Sequence, residues 1–144
     1  MNSAKQYGIN ILKNNTPSSD NAIMFDIDDT LIFYNRKPNM PIIELARVAK
    51  ILGYKIVIIT ARPNYKENRQ TTVHELKQFN IPYDLVVYTS HQEKTDIKRK
   101  MNNSFILSVG DMWTDLTDSK HWIKLPSHYN NEFNVLTDIT NTLT

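Results

Sequence analysis

The stretch Ile23-Met24-Phe25-Asp26-Ile27-Asp28-Asp29-Thr30-Leu31-Ile32 decides the fold. A short apolar run ends in two carboxylates set two residues apart, Asp26 and Asp28. The end of a buried strand is a rigid platform for such a pair, on which one Asp can attack phosphorus while its neighbour handles the proton. A calcium loop opening at Asp26 would need Gly at its sixth position and Glu at its twelfth. Leu31 and Lys37 stand there, so that reading is rejected.

Downstream, the remaining parts of a phosphoryl-transfer site follow in order. Lys55-Ile56-Val57-Ile58-Ile59-Thr60 is a β-branched run ending in a hydroxyl able to meet a phosphate oxygen. Lys94 and Lys98 lie one helical turn apart in the segment Gln92 to Met101, so either is a candidate for the site cation, and their spacing does not choose between them. Phe105-Ile106-Leu107-Ser108-Val109-Gly110-Asp111 is a further apolar run ending in Gly-Asp, with Asp115 four residues on. Hard oxygen ligands at a strand end suit Mg²⁺, which takes one or two carboxylates and keeps waters beside a substrate phosphate.

Asp26-x-Asp28-x-Thr30, Thr60, Lys94 and Gly110-Asp111-x-x-x-Asp115 together resemble the four motifs of the haloacid dehalogenase superfamily, over about residues 22 to 126. Within it, Gly110-Asp111-Met112-Trp113-Thr114-Asp115-Leu116 and Lys124-Leu125-Pro126 are similar to the plant and bacterial acid phosphatases and vegetative storage proteins. The resemblance implies a Mg²⁺-dependent phosphomonoesterase with Asp26 as nucleophile, Asp28 as general acid and base, and Lys94 as the site lysine. It implies metal ligation by Asp26, the backbone carbonyl of Asp28, and Asp111. Thr60, Ala61, Arg62 and Lys98 form the expected phosphate-binding set, with Asp115 and Thr30 behind the ligands. Ala61 replaces the Gly that many relatives carry there and leaves the chemistry untouched. Arg62 reads either as a substrate contact or as a surface Arg after a strand, and Asp115 either as an orienter of metal-bound water or as a helix N-terminal carboxylate. Asp29 reads as a cap of the turn.

At 144 residues the chain fits one domain that buries its own core, and no apolar stretch approaches the ~18 residues of a membrane span. Met1 to Asn15 lacks the apolar core of a secretory signal and there is no cysteine, so the expected compartment is the cytoplasm. The net charge of +2 is mild and does not argue for nucleic acid, although the basic run Lys94 to Lys100 allows it. That run reads as a charged helix face or as an electropositive rim steering a phosphorylated substrate.

Alternating signals predict an α/β fold: a Rossmann-like three-layer α/β/α sandwich with a five-stranded parallel sheet. Strands are expected at Ala22–Asp26, Lys55–Thr60, Asp84–Tyr88, Phe105–Val109 and Trp122–Leu125. Helices are expected at Ser3–Asn14, Pro41–Leu52, Tyr65–Phe79 with Val73, Leu76 and Phe79 inward, Gln92–Met101, and Glu132–Thr140. Residues 1–20 then form an N-terminal extension, 21–126 the catalytic core and 127–144 a C-terminal helix.

The spacings from Thr30 to Thr60 and from Thr60 to Lys94 leave no room for the cap domain that many superfamily members insert. An open site follows, which admits a bulky or macromolecular phosphomonoester or is covered by a partner such as a second copy of the chain. The segment Phe33 to Asn39, with Tyr34, Arg36 and Lys37, is the nearest candidate lid. Packing or surface roles are expected for Trp113, Trp122, His74, His91, His121 and His128. A phosphoacceptor switch would need its Asp at the end of the third strand, where Tyr88-Thr89-Ser90 has none. A nucleotidase or polynucleotide-end phosphatase is the alternative enzyme. A storage or binding protein that has lost the chemistry is the non-enzymatic one, and it would be marked by loss of the nucleophile, which Asp26 retains.

Overall fold

Five short runs become strands β1 (Asn21–Phe25), β2 (Lys55–Thr60), β3 (Leu85–Tyr88), β4 (Ser104–Gly110) and β5 (Ser119–Lys124) in the computed structural model, which describes residues 1–128 and 139–140; β2, with Ile56, Val57, Ile58, Ile59 and Thr60, is the richest in β-branched residues. They pair in parallel in the order β3-β2-β1-β4-β5. A two-residue strand β6 (Ile139–Thr140) joins β5 antiparallel. The parallel sheet thus has the five strands expected, plus an edge that was not. The helix expected over Glu132–Thr140 falls mostly outside the described residues, and its last two positions are this strand.

Helices α1 (Asn2–Lys13), α2 (Met40–Leu52), α3 (Lys66–Gln78) and α4 (Lys94–Lys100) complete three layers. Side chains alternate across the sheet with the period of two that a strand imposes. Ile23, Phe25, Ile56, Ile58, Leu107 and Val109 pack in one cluster with residues of α1, α2 and Leu76 of α3. Ala22, Met24, Val57, Ile59 and Phe105 pack on the opposite side with Ile97 and Met101 around α4. The distribution follows from handedness. The path β1-α2-β2-α3-β3 moves one way, so its right-handed crossovers share a face, whereas α4 returns past β1 to β4 and must take the other. Strand order therefore reverses at β1, and a crevice opens beyond the carboxyl ends of β1 and β4.

The helices obey local rules with one exception. Pro41 occupies the first turn of α2, and Gly53, at φ 104, closes it in the left-handed conformation. In α3, however, Val73 faces outward at 45% exposure, while Thr72 and Glu75 are buried beside Leu76. An apolar-face reading of that helix fails because its inner side receives a buried arginine, described below, that needs oxygen acceptors. Only the loop carrying Phe33 to Asn39 and α2 lie between β1 and β2, and only α3, β3 and α4 between β2 and β4, so no cap is inserted. No described helix is long and apolar enough to cross a membrane.

The α1 layer is fastened to the core by Tyr54, whose buried hydroxyl donates to Leu12 O at 2.5 Å in the last turn of α1. A last-turn carbonyl has no partner within its own helix, so Tyr54→Phe leaves this one buried and unsatisfied. The expected loss is about 1–3 kcal/mol, read as a lower urea midpoint with an unchanged m-value.

Candidate active site

Strand β1 ends against β4, where Asp26 N donates to Val109 O at 3.1 Å, and the next side chain beyond each strand is a carboxylate, Asp26 and Asp111. A 3₁₀ turn (Trp113–Asp115) then folds the chain back and brings in Asp115. Asp26, Asp111 and Asp115 are all buried, and one oxygen from each lies within 4.8 Å of the others. Gly110 makes the approach possible, since a Cβ there would stand 2.6 Å from Asp115 Cγ. Met112 N donates to Asp115 Oδ2 at 3.1 Å and fixes its second oxygen.

The two candidate lysines, though one turn apart, have different surroundings. Lys94 is fully buried, and its Nζ donates to Asp26 Oδ1 at 2.9 Å and Asp115 Oδ1 at 2.6 Å. Burial opposes its charge, but the Asp26 and Asp115 carboxylates outweigh that and hold its pKa above the ordinary lysine value. Lys98 Nζ is also buried, but it donates to Ser108 Oγ at 2.9 Å, Asp115 O at 2.5 Å and Thr117 O at 2.8 Å. It ties α4 to the turn after β4 and does not reach the carboxylates, which corrects its expected place among the phosphate-binding residues. The basic run is accordingly neither a fully solvated face nor a continuous rim: its exposed Arg99 pairs with Asp118 at 2.8 Å.

Three carboxylates against one ammonium leave this buried pocket short of positive charge. Burial, then the charge and hydrogen bond of Asp26, then the charge of Asp115 push the Asp111 pKa up to about 9, against the pull of the Ser127 hydrogen bond. Burial and Asp26 raise Asp115 to about 7 even though Lys94 pulls it down. Asp111 Oδ1 is buried with no hydrogen-bond partner among the described residues. An orphaned hard oxygen beside two further carboxylates is the donor set that a small divalent cation takes, so the residues fit one.

Asp28 lies on the wall of a cleft of about 230 Å³, lined by Asp26, Asp28, Ala61, Arg62, Pro63, His91 and Asp111. Its side chain is 46% exposed, and it is gripped by Arg62: Nε donates to Oδ2 at 3.0 Å and Nη2 to Oδ1 at 2.9 Å. Arg62 Nη1 donates to Thr72 Oγ1 at 3.0 Å and Glu75 Oε1 at 2.8 Å. Burial works against the guanidinium charge, but Asp28 and Glu75 hold its pKa above the ordinary arginine value. Arg62 is thus no surface residue, and most of its donors already meet protein acceptors. Thr60 is buried at the end of β2, and its Oγ1 accepts from Arg62 N at 3.2 Å. Thr30 is buried, and its Oγ1 has no partner among the described residues.

Thr72 and Glu75 join this environment without having been singled out in the sequence, and His128, read there as a packing or surface residue, joins it too. Asp29, at φ 61, accepts from Tyr34 N at 3.0 Å and from His128 N at 3.3 Å, and it also pairs with the His128 ring. Tyr34 stacks on that ring, with centroids 5.0 Å apart. Asp29 therefore anchors the 33–39 loop, as its reading as a turn cap anticipated, while the role of His128 depends on a contact 99 residues away in sequence. Trp113 packs edge-on against Trp122 at 5.2 Å.

The family model of the HAD superfamily, subfamily IIIB (Acid phosphatase), matches residues 34–132, more than half of the chain, beginning after Asp26 and Asp28. Among solved structures, the chain is similar to one in the Pnkp1/Rnl/Hen1 complex, with a TM-score of 0.61 and 20% identity over 67% of this chain and 40% of that one. A chain of the Pnkp1/Rnl/Hen1 RNA repair complex matches with a TM-score of 0.56 and 19% identity, over 67% and 37%. At these identities the likeness is one of fold, and the chain spans about 40% of the length of the first of these structures. No curated protein matches it.

The raised carboxylates make stability depend on pH. Asp111 and Asp115 titrate at about 9 and about 7 when folded, against 3.8 for an ordinary aspartate carboxyl, so between these values the metal-free folded state holds protons that the unfolded state has released. Their contribution is present below about 3.8 and is lost as pH rises through about 7 and about 9. A cation that replaces those protons should therefore raise the melting temperature more near pH ~9 than near pH ~5. Melting curves with Mg²⁺ and with EDTA across that range check this, and parallel curves would refute a cation site at this cluster.

Proposed function

The chain belongs to the HAD superfamily, subfamily IIIB (Acid phosphatase); on that premise we propose that it is a phosphoric monoester hydrolase that works through a phosphoenzyme on Asp26, with Mg²⁺ as its cofactor. The observation that carries this reading is the convergence of Asp26, Asp111 and Asp115 on one lysine beyond the ends of β1 and β4, with Asp28 beside them on the cleft wall.

In the first step an Asp26 carboxylate oxygen attacks phosphorus, the bond from phosphorus to the leaving oxygen breaks, and Asp28 gives that oxygen a proton. In the second, water attacks phosphorus, Asp28 takes back a proton, and Asp26 is released with inorganic phosphate. Asp28 suits the part because its carboxylate is half exposed to the cleft yet fixed in direction by Arg62. Lys94 holds Asp26 in position and keeps positive charge beside it, and Thr60 stands at the end of β2, where a phosphate oxygen would lie. The carboxylates of Asp26 and Asp111, with the backbone carbonyl of Asp28, would hold Mg²⁺, and Asp115 would support them through Lys94. When bound, the ion supplies positive charge to offset that of the phosphate and the attacking carboxylate.

The uncapped cleft supports a bulky or macromolecular phosphomonoester as substrate, in a cytoplasmic setting. A phosphorylated polynucleotide end is the second reading, favoured by the likeness in fold to chains of an assembly described as an RNA repair complex. A second copy of the chain covering the cleft is compatible with either.

The test is phosphate release from p-nitrophenyl phosphate, mononucleotides, phosphopeptides and 3′- or 5′-phosphorylated oligonucleotides. Turnover should require Mg²⁺, vanish in EDTA and fall to background in Asp26→Asn. Asp28→Asn should lose about 10²- to 10⁴-fold. Unchanged turnover in Asp26→Asn would refute the mechanism, and preference for oligonucleotides over mononucleotides would select the second reading.

A further inference from the structure

Glu75 lies outside the cleft lining, on the inner face of α3, and its side chain is 10% exposed. An acid buried this deeply is held by compensating charge, and two arginines supply it. Arg62 Nη1 and Arg36 Nη2 each approach the same oxygen, Oε1, at 2.8 Å. Arg36 comes from the 33–39 loop and Arg62 from the segment after β2, so Glu75 is clamped from both sides. Thr72, one turn earlier on α3, gives Arg62 Nη1 a second acceptor, and its own hydroxyl proton is directed to Asn68 O at 2.8 Å.

A guanidinium is planar, and fixing one terminal nitrogen fixes the direction of the other two. With Nη1 held by Glu75 and Thr72, the Nε and Nη2 edge can only face Asp28, which it meets with two near-parallel bonds. Asp28 is otherwise a half-exposed carboxylate on the segment beyond a strand, free to rotate. We infer that Glu75 is a positioning residue for proton transfer: acting through Arg62, it sets the orientation of the Asp28 carboxylate without touching substrate. This rests on the proposed role of Asp28 as general acid and base.

Leaving-group dependence separates this role from a merely structural one. A p-nitrophenolate departs without a proton, whereas an alkoxide needs the proton of Asp28. The experiment measures kcat/KM for a series running from p-nitrophenyl phosphate to simple alkyl phosphates, with Mg²⁺, in wild type, Glu75→Gln, Asp28→Asn and the double variant. Expected in Glu75→Gln is a loss on alkyl phosphates about tenfold greater than on p-nitrophenyl phosphate, in the same direction as Asp28→Asn. In the Asp28→Asn background the Glu75→Gln change should have no further effect on that ratio, because its route runs through Asp28.

An equal loss on every substrate, or effects that multiply in the double variant, would overturn the inference and leave Glu75 as a fold-stabilising acid. If Asp28→Asn itself shows no leaving-group selectivity, the reading of Asp28 falls, and the positioning role falls with it. Should Glu75→Gln not fold, Thr72→Val, which removes the other acceptor of Nη1 at nearly constant volume, should show the same selectivity to a smaller degree. No selectivity in that variant would equally refute the proposal.

Discussion

The interaction on which the rest depends is the pair of bonds that Lys94 makes to Asp26 and Asp115. Ionisable groups resist burial in their charged form, and here four of them, counting Asp111, are at most 3% exposed. Such an arrangement survives only if each charge is met at close range, so the backbone around it has little freedom. Gly110 is required because any side chain there would overlap Asp115. The turn Trp113–Asp115 is required because Asp115 must fold back over the end of β4. Helix α4 begins at Lys94 itself, on the face of the sheet where a long side chain can run along apolar neighbours to the strand ends.

Topology delivers these groups to one place. Reversal of strand order at β1 leaves its carboxyl end unobstructed between β2 and β4. Thr60, Asp26 and Asp111 then follow from three neighbouring strands, and their separation is set by the spacing of the sheet. Loops alone would not hold carboxylates this close, because electrostatic repulsion would part them. The rigidity of the hydrogen-bonded ladder opposes that repulsion, and the remaining imbalance appears as the raised pKa values of Asp111 and Asp115.

Much of this was legible in the sequence because it is local. Apolar runs ending in Asp26, Thr60 and Asp111 are strand ends by composition, and a strand end fixes where the next side chain goes. What stayed hidden depends on contacts distant in sequence. Lys94 and Lys98 are equivalent by spacing, and only the positions of Ser108 and Thr117 send the second one elsewhere. Arg62 reads in the sequence either as a substrate contact or as a surface residue, and its partners on α3, which neither reading contains, are also why Val73, apolar and in phase, faces solvent. A helix face chosen by hydrophobicity assumes an apolar neighbour, whereas this one meets a guanidinium. His128 acquires its place through Asp29 and Tyr34, across most of the chain.

The commitments of Lys94, Lys98 and Arg62, three basic residues buried near the cleft, bear on how it meets a phosphate. Lys94 is bound by two carboxylates, Lys98 by backbone and hydroxyl oxygens, and Arg62 by Asp28, Glu75 and Thr72. Each is held by protein acceptors, and together they leave little protein charge to receive a dianion. At the same position the acids are in excess, and Asp111 Oδ1 lacks a partner among the described residues. A site short of positive charge toward its substrate and long on negative charge toward its interior is resolved by one divalent cation between them, which answers both deficits at once. This is the physical ground on which a divalent cation is proposed here in place of catalysis by side chains alone. It also gives Arg62 a different use from those its sequence suggested: under the proposed mechanism, its charge orients the residue that moves the proton.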